Sequence, residues 1–159
     1  MKGNMKLIKK VRKKLLFVSA SGGHLEQLLM LKPLMEKYPS VLVTEKTEIN
    51  NKVDYYMIQA GAKQKPVLLR NAINFIIAFY IFIKERPTHI ISTGGIVVVP
   101  FVIFSKFTKT KVIFIETFAR INDTTRTGRF MYKHADLFIV QWESLLKHYP
   151  NAIYGGSIY

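Results

Sequence analysis

The chain has 159 residues, 49% of them hydrophobic, with 24 Lys and Arg against 10 Asp and Glu and a net charge of +14 at pH 7. The apolar content excludes disorder as the main state, and the length fits one domain with a real core. With no cysteine in the sequence, disulfides, thiolate catalysis and Cys-based metal sites are excluded, while the charge calls for an anionic partner: nucleic acid, an anionic membrane or a phosphorylated substrate.

Residues 1–13 carry Lys2, Lys6, Lys9, Lys10, Arg12 and Lys13, with Met5, Leu7, Ile8 and Val11 between them. This pattern fits a basic amphipathic segment lying on a membrane surface, and equally a solvated tail. No apolar stretch with a small-residue cleavage site follows, so no secretory leader is expected. Apolar, β-branched runs then predict strands over 14–19, 40–44, 54–58, 88–92, 111–115 and 136–140. Helices are predicted over 25–37, 67–85, 98–107, 128–134 and 143–149. Near-continuous apolar strands alternating with helices imply an α/β fold over 14–159, a parallel sheet with helices on both faces. The stretch 72–83 (AINFIIAFYIFI) is apolar almost all round. It is shorter than the roughly 20 residues that cross a bilayer, so it reads as a core helix or as one docked on a membrane surface through Phe75, Phe79 and Phe82.

In such sheets ligands bind beyond the carboxyl ends of the strands. The first of these loops is Ser19-Ala20-Ser21-Gly22-Gly23-His24. A strand that breaks at Gly-Gly and re-enters a helix aims backbone N–H groups at one spot, which suits phosphate, and His24 puts a titratable group at its edge. A tight turn with an exposed His is the plainer reading. Ser92-Thr93-Gly94-Gly95 repeats the device after the fourth strand. Glu116-Thr117-Phe118-Ala119-Arg120 and Gln141-Trp142-Glu143 leave the next two. Gly94 and Gly95 could serve only close helix packing, and Glu116 could simply pair with Arg120 or Arg126.

Other chemistries lack their motifs. Neither G-x-G-x-x-G nor G-x-x-x-x-G-K-[ST] occurs, and G-x-S-x-G is missing. The four histidines lack H-E-x-x-H spacing and acids are few, so no metal is expected. Nucleic acid stays open on charge alone, but the basic residues form no DNA- or RNA-reading motif and the apolar helix fits that role poorly, so it is not expected as a partner.

Several motifs occur together and in order: Ser21-Gly22-Gly23-His24-Leu25-Glu26-Gln27, Arg86 to Gly95 with Val99-Pro100, Ile115 to Arg120, Ala135 to Trp142, and Tyr149 to Gly156. On these the chain resembles the acceptor-side subunit of the two-part sugar transferase of asparagine-linked glycosylation. It resembles still more the bacterial capsule and exopolysaccharide proteins of the CpsF and PssD type, and it is similar to the acceptor half of MurG. The resemblance implies a Rossmann-like domain, the N-terminal half of a GT-B glycosyltransferase. It also implies a role as the acceptor-binding subunit, inactive alone. A small donor-binding subunit would complete it, with a UDP-sugar as donor and neither metal nor cofactor. The acceptor would be a polyprenyl-diphosphate-linked saccharide in surface polysaccharide assembly, met peripherally at the cytoplasmic face of the membrane. By position His24 would be the general base. Ser21, Gly22, Gly23, Thr93, Gly94 and Gly95 would bind the acceptor and its phosphates, Glu116 and Arg120 would have a structural or acceptor-positioning role at that acceptor site, and Tyr154, Gly155, Gly156 and Tyr159 would grip the partner. The alternative is a non-catalytic scaffold that anchors and activates the partner.

Overall fold

The computed structural model describes residues 13–48, 52–60 and 65–159. Lys9, Lys10 and Arg12, on which the basic-segment reading rests, lie outside the described residues, while Lys13 is exposed.

β1 (Leu15–Ser19) leads through α1 (Gly23–Leu29) and α2 (Lys32–Lys37) to β2 (Ser40–Glu45) and the short β3 (Tyr55–Met57). The long α3 (Val67–Glu85) carries the chain back to β4 (His89–Gly94). A 3₁₀ turn and α4 (Val99–Ser105) precede β5 (Lys111–Ile115), and α5 (Arg126–His134) precedes β6 (Leu137–Val140). A second 3₁₀ segment, Glu143–Lys147, leads to β7 (Ile153–Tyr154). The seven strands form one sheet in the order β3-β2-β1-β4-β5-β6-β7, with every neighbouring pair parallel. The chain winds outward from β1 to one edge, returns across α3, and winds outward the other way. β1 and β4 are therefore the switch point, where the flanking connections diverge and open a crevice at the carboxyl ends.

Alternate residues of the same strands supply two cores, as the period of two requires. Leu16, Val18, Ile90, Val112 and Phe114 pack with Ala78, Ile81 and Phe82 of α3, Phe101 and Val102 of α4, and Met131 of α5. Leu15, Phe17 and Ile91 face the other way, onto Leu28, Leu31, Leu34 and Met35.

Two predicted elements change form. The helix expected over 25–37 divides in two, because Pro33 lacks the N–H and its ring would clash with the carbonyl four residues earlier; the proline instead sits in the first turn of α2. The helix expected over 143–149 is a 3₁₀ segment. β7, with two residues, was below the length at which alternation signals a strand.

α3 is 19 residues long, and an 18-residue stretch of it has a mean hydropathy of 1.6, enough by length and composition alone to cross a bilayer. It is nonetheless built into the fold. Asn74, Ala78, Ile81 and Phe82 form its buried stripe, and Asn74 brackets Ile58, accepting from its N–H at 2.8 Å and donating to its carbonyl at 2.7 Å. Phe82 is only 4% exposed, so the expected membrane contact at that residue is corrected: it lies one turn from Ala78, on the sheet side of the helix. Phe75 and Phe79 remain on the open side, beside Ile76, Tyr80 and Ile83.

Candidate functional site

The loops leaving β1 and β4 are locked together. The Ala20 N–H donates to the Gly94 carbonyl at 3.0 Å, and a Cβ on Gly95 would fall 2.3 Å from that of Ala20. Gly94 and Gly95 also carry φ of 132° and 95°, a region costly for any residue with a Cβ. Glycine at 94 and 95 is thus required for the close approach. A Cβ on Gly94 would lie 2.6 Å from the His24 ring, so that glycine makes the seat on which the imidazole rests.

His24, half-buried at the start of α1, is held at both ends by residue 93. Its Nδ1 lies 2.9 Å from the Thr93 carbonyl oxygen, and the Thr93 hydroxyl donates to the His24 carbonyl at 2.6 Å. A carbonyl only accepts, so the neutral ring carries its proton on Nδ1 and leaves the Nε2 lone pair without a partner among the described residues. That is the tautomer a general base needs. Thr93 itself is fully buried, and its hydroxyl is committed to this clamp. It supports His24 from behind and does not face the crevice as the motif suggested.

Ser21 is partly exposed, and Gly22 and Gly23 are exposed. Gly22 has φ 73°. Behind them stands Glu45 at the end of β2, 7% exposed, with Oε2 3.4 Å from both the N–H and the hydroxyl of Ser21. Sequence reasoning missed Glu45; the one available signal was an acid closing an apolar strand.

The next loop is organised differently. Glu116 is 1% exposed and accepts from the Tyr149 hydroxyl at 2.8 Å, the Thr125 hydroxyl at 3.2 Å and the Thr117 N–H at 3.0 Å. Thr125 in turn caps α5 by accepting from the Gly128 N–H at 2.7 Å. Burial, and then the Glu116 charge, push the Tyr149 phenol well above its usual range, so it remains a donor. Glu116 pairs with neither Arg120 nor Arg126. Arg120 is exposed and meets Asp123 at 2.5 Å. Of the roles expected for Glu116 the structural one fits this geometry and direct acceptor contact does not: its carboxylate is spent on folding the loop.

Gln27, buried in α1, joins the loops, donating to the Thr117 hydroxyl at 3.2 Å and accepting from the Phe118 N–H at 3.1 Å. Tyr154 is exposed in the edge strand β7, and Gly155 donates to the Val140 carbonyl. Gly156 has φ 73°, and Tyr159 packs edge-on against Phe118, with ring centroids 5.3 Å apart.

The family described as "Oligosaccharide biosynthesis protein Alg14 like" matches residues 40–158. The chain belongs to that family. It is 28% identical over 175 residues to the UDP-N-acetylglucosamine transferase subunit ALG14 of Yarrowia lipolytica, a match covering 91% of this chain and 81% of that protein. With the Candida albicans protein of the same name it shares 34% identity over 91 residues, covering 54% and 42% of the two chains. Among solved structures it resembles UDP-N-acetylglucosamine 2-epimerase from Rickettsia bellii, with a TM-score of 0.70 at 15% identity, over 92% of this chain and 45% of the other. Acinetobacter baumannii MurG gives 0.62 at 14% identity, over 80% and 41%. Identities this low show the fold alone: the GT-B type of Rossmann-like sheet that the sequence led us to expect. The chain spans less than half the length of these two solved structures.

Proposed function

We propose that this chain is the acceptor-binding subunit of a two-component glycosyltransferase, moving a sugar from a UDP-sugar to a polyprenyl-diphosphate-linked saccharide, with a separate subunit binding the donor. The observation that carries the reading is His24, its Nδ1–H fixed on the Thr93 carbonyl and its Nε2 free, at the switch point of a half-length GT-B sheet. Nε2 would take the proton from the acceptor hydroxyl as that oxygen attacks the anomeric carbon of the donor sugar. Ser21, Gly22 and Gly23 would meet the acceptor diphosphate, with Arg120 adding charge at the rim. Glu116 and Thr93 would act through the loops they hold.

The family and the names of its members support a UDP-N-acetylglucosamine donor. Placement in capsule or exopolysaccharide assembly rests on the motif resemblance only, since the matched relatives carry the name of a UDP-N-acetylglucosamine transferase subunit. The open face of α3 supports a peripheral seat on a membrane, and the cytoplasmic leaflet follows from the motif resemblance. Ile76 is 69% and Phe79 53% exposed, and Phe75 and Phe79 stack on Phe104 of α4. Lys84 at the end of α3 and Lys106 just past α4 supply charge for anionic lipid.

The test is transfer from labelled UDP-sugars to a membrane fraction holding lipid-linked acceptor, using this chain, its donor-binding subunit, and both. Transfer with both alone supports the reading, and the donor panel names the sugar. Appreciable transfer by the donor subunit alone, only raised by this chain, establishes the scaffold instead.

A further inference from the structure

Gln27 and Gln141 stand on different elements, 114 residues apart in sequence, yet their side-chain amides meet: Gln141 Nε2 donates to Gln27 Oε1 at 3.0 Å. Both are buried, 3% and 2% exposed. Each amide is engaged through both its oxygen and its nitrogen. Gln27 Oε1 also accepts from the Phe118 N–H, and Gln141 Nε2 also donates to the Glu116 carbonyl at 3.0 Å. Gln141 Oε1 accepts from the Ile158 N–H at 2.9 Å. A neutral amide offers donors and an acceptor at once without the cost of a buried charge. The result is a continuous, satisfied chain from segment 156–159, through Gln141 and Gln27, to the loop after β5 and to α1, whose first turn carries His24. A second path runs beside it. The Trp142 indole N–H donates to the Phe118 carbonyl at 2.8 Å, and Phe118 packs between Trp142 and Tyr159, with centroids 4.8 and 5.3 Å away.

We infer that Gln27 and Gln141 are positioning residues: a buried amide relay through which the seating of segment 156–159 sets the placement of the Phe118 loop against the His24 helix. Resting on the proposed two-subunit reading, the consequence is that a donor subunit gripping Tyr154 to Tyr159 orders the acceptor loop as it docks. Catalysis would then be tied to assembly without any shared active-site residue. Fully satisfied polar networks of this kind specify one arrangement, because a half-satisfied one costs more than an apolar core.

The experiment is amide hydrogen exchange by NMR on the full chain, with Ile158→Pro, which deletes one donor at the surface end, and Gln141→Met, which keeps the bulk and deletes the relay. Loss of one such bond should speed exchange of the Phe118 amide about five- to tenfold, while Val18 and Ile113 in the sheet keep their wild-type rates. Unchanged Phe118 exchange in both variants overturns the inference. So does a uniform rise across Phe118, Val18 and Ile113, which would make the residues merely structural. In the reconstituted pair, Ile158→Pro should raise the acceptor KM more than it lowers kcat. If wild type shows no transfer in that arm, the two-subunit reading fails, while the exchange arm still decides the relay.

Discussion

The loops after β1 and after β5 both place a titratable side chain at the carboxyl end of a parallel strand, His24 in one and Glu116 in the other. Their side chains meet opposite fates. Glu116 is enclosed, and each of its oxygens is matched by a donor. His24 is half open and satisfied at one nitrogen only. A group whose hydrogen bonds are all spent internally holds a fold. One with an oriented, unspent lone pair on a half-exposed ring is equipped for chemistry. Residue type did not separate the two; the supply of partners does.

The largest effect should come from the closed site. Glu116→Ala orphans the Tyr149 and Thr125 hydroxyls, and Gly128→Ala drives a Cβ to within 1.8 Å of Glu116 Oε2. Each should cost about 3 kcal/mol in urea unfolding, and a loss below about 1 kcal/mol would show that the Glu116 cluster does not hold the loop. By contrast His24→Ala removes one half-exposed hydrogen bond and should cost about 1 kcal/mol or less.

The amino ends of the same central strands sharpen the contrast. Lys14, just before β1, bridges Glu85, at the end of α3, at 2.6 Å, and Tyr55 also donates to Glu85. The hydrogen bond from Lys14, then that from Tyr55, hold the Glu85 carboxyl below its usual value of 4.5. A depressed carboxylate stabilises fully above its unfolded pKa and loses that contribution as pH falls through the folded value. Glu85→Gln should therefore cost about 1–2 kcal/mol at pH 7, and the gap from wild type should close as unfolding is repeated below pH 4.5. A gap constant with pH would remove the ion pair from the explanation. The smallest effect on stability belongs to Ile76→Ser, within about 0.5 kcal/mol because the side chain is 69% exposed. The same change should weaken binding to anionic vesicles about tenfold. Equal binding would place the membrane contact elsewhere.

The sheet was legible because its central strands are largely buried on both faces and read as unbroken apolar runs, such as Leu15 to Val18 and Val112 to Ile115. The glycine turns were legible because Gly-Gly after a strand has few other uses. The division of the first helix at Pro33 was hidden under a continuous apolar period. The site's supports were hidden for another reason: the roles of Glu45, Gln27 and Tyr149 come from partners far along the chain. Phe82 reads like Phe75 and Phe79 in sequence, and only packing on the sheet separates them.

The central claim is that the free nitrogen of His24 does the chemistry. It is tested most directly by sugar transfer to lipid-linked acceptor with wild-type and His24→Ala chains, each paired with the donor-binding subunit and checked for equal assembly by co-purification. A rate lower by about 10²-fold or more is the predicted result. An unchanged rate with equal assembly would contradict it and leave His24 as a clamp between two loops.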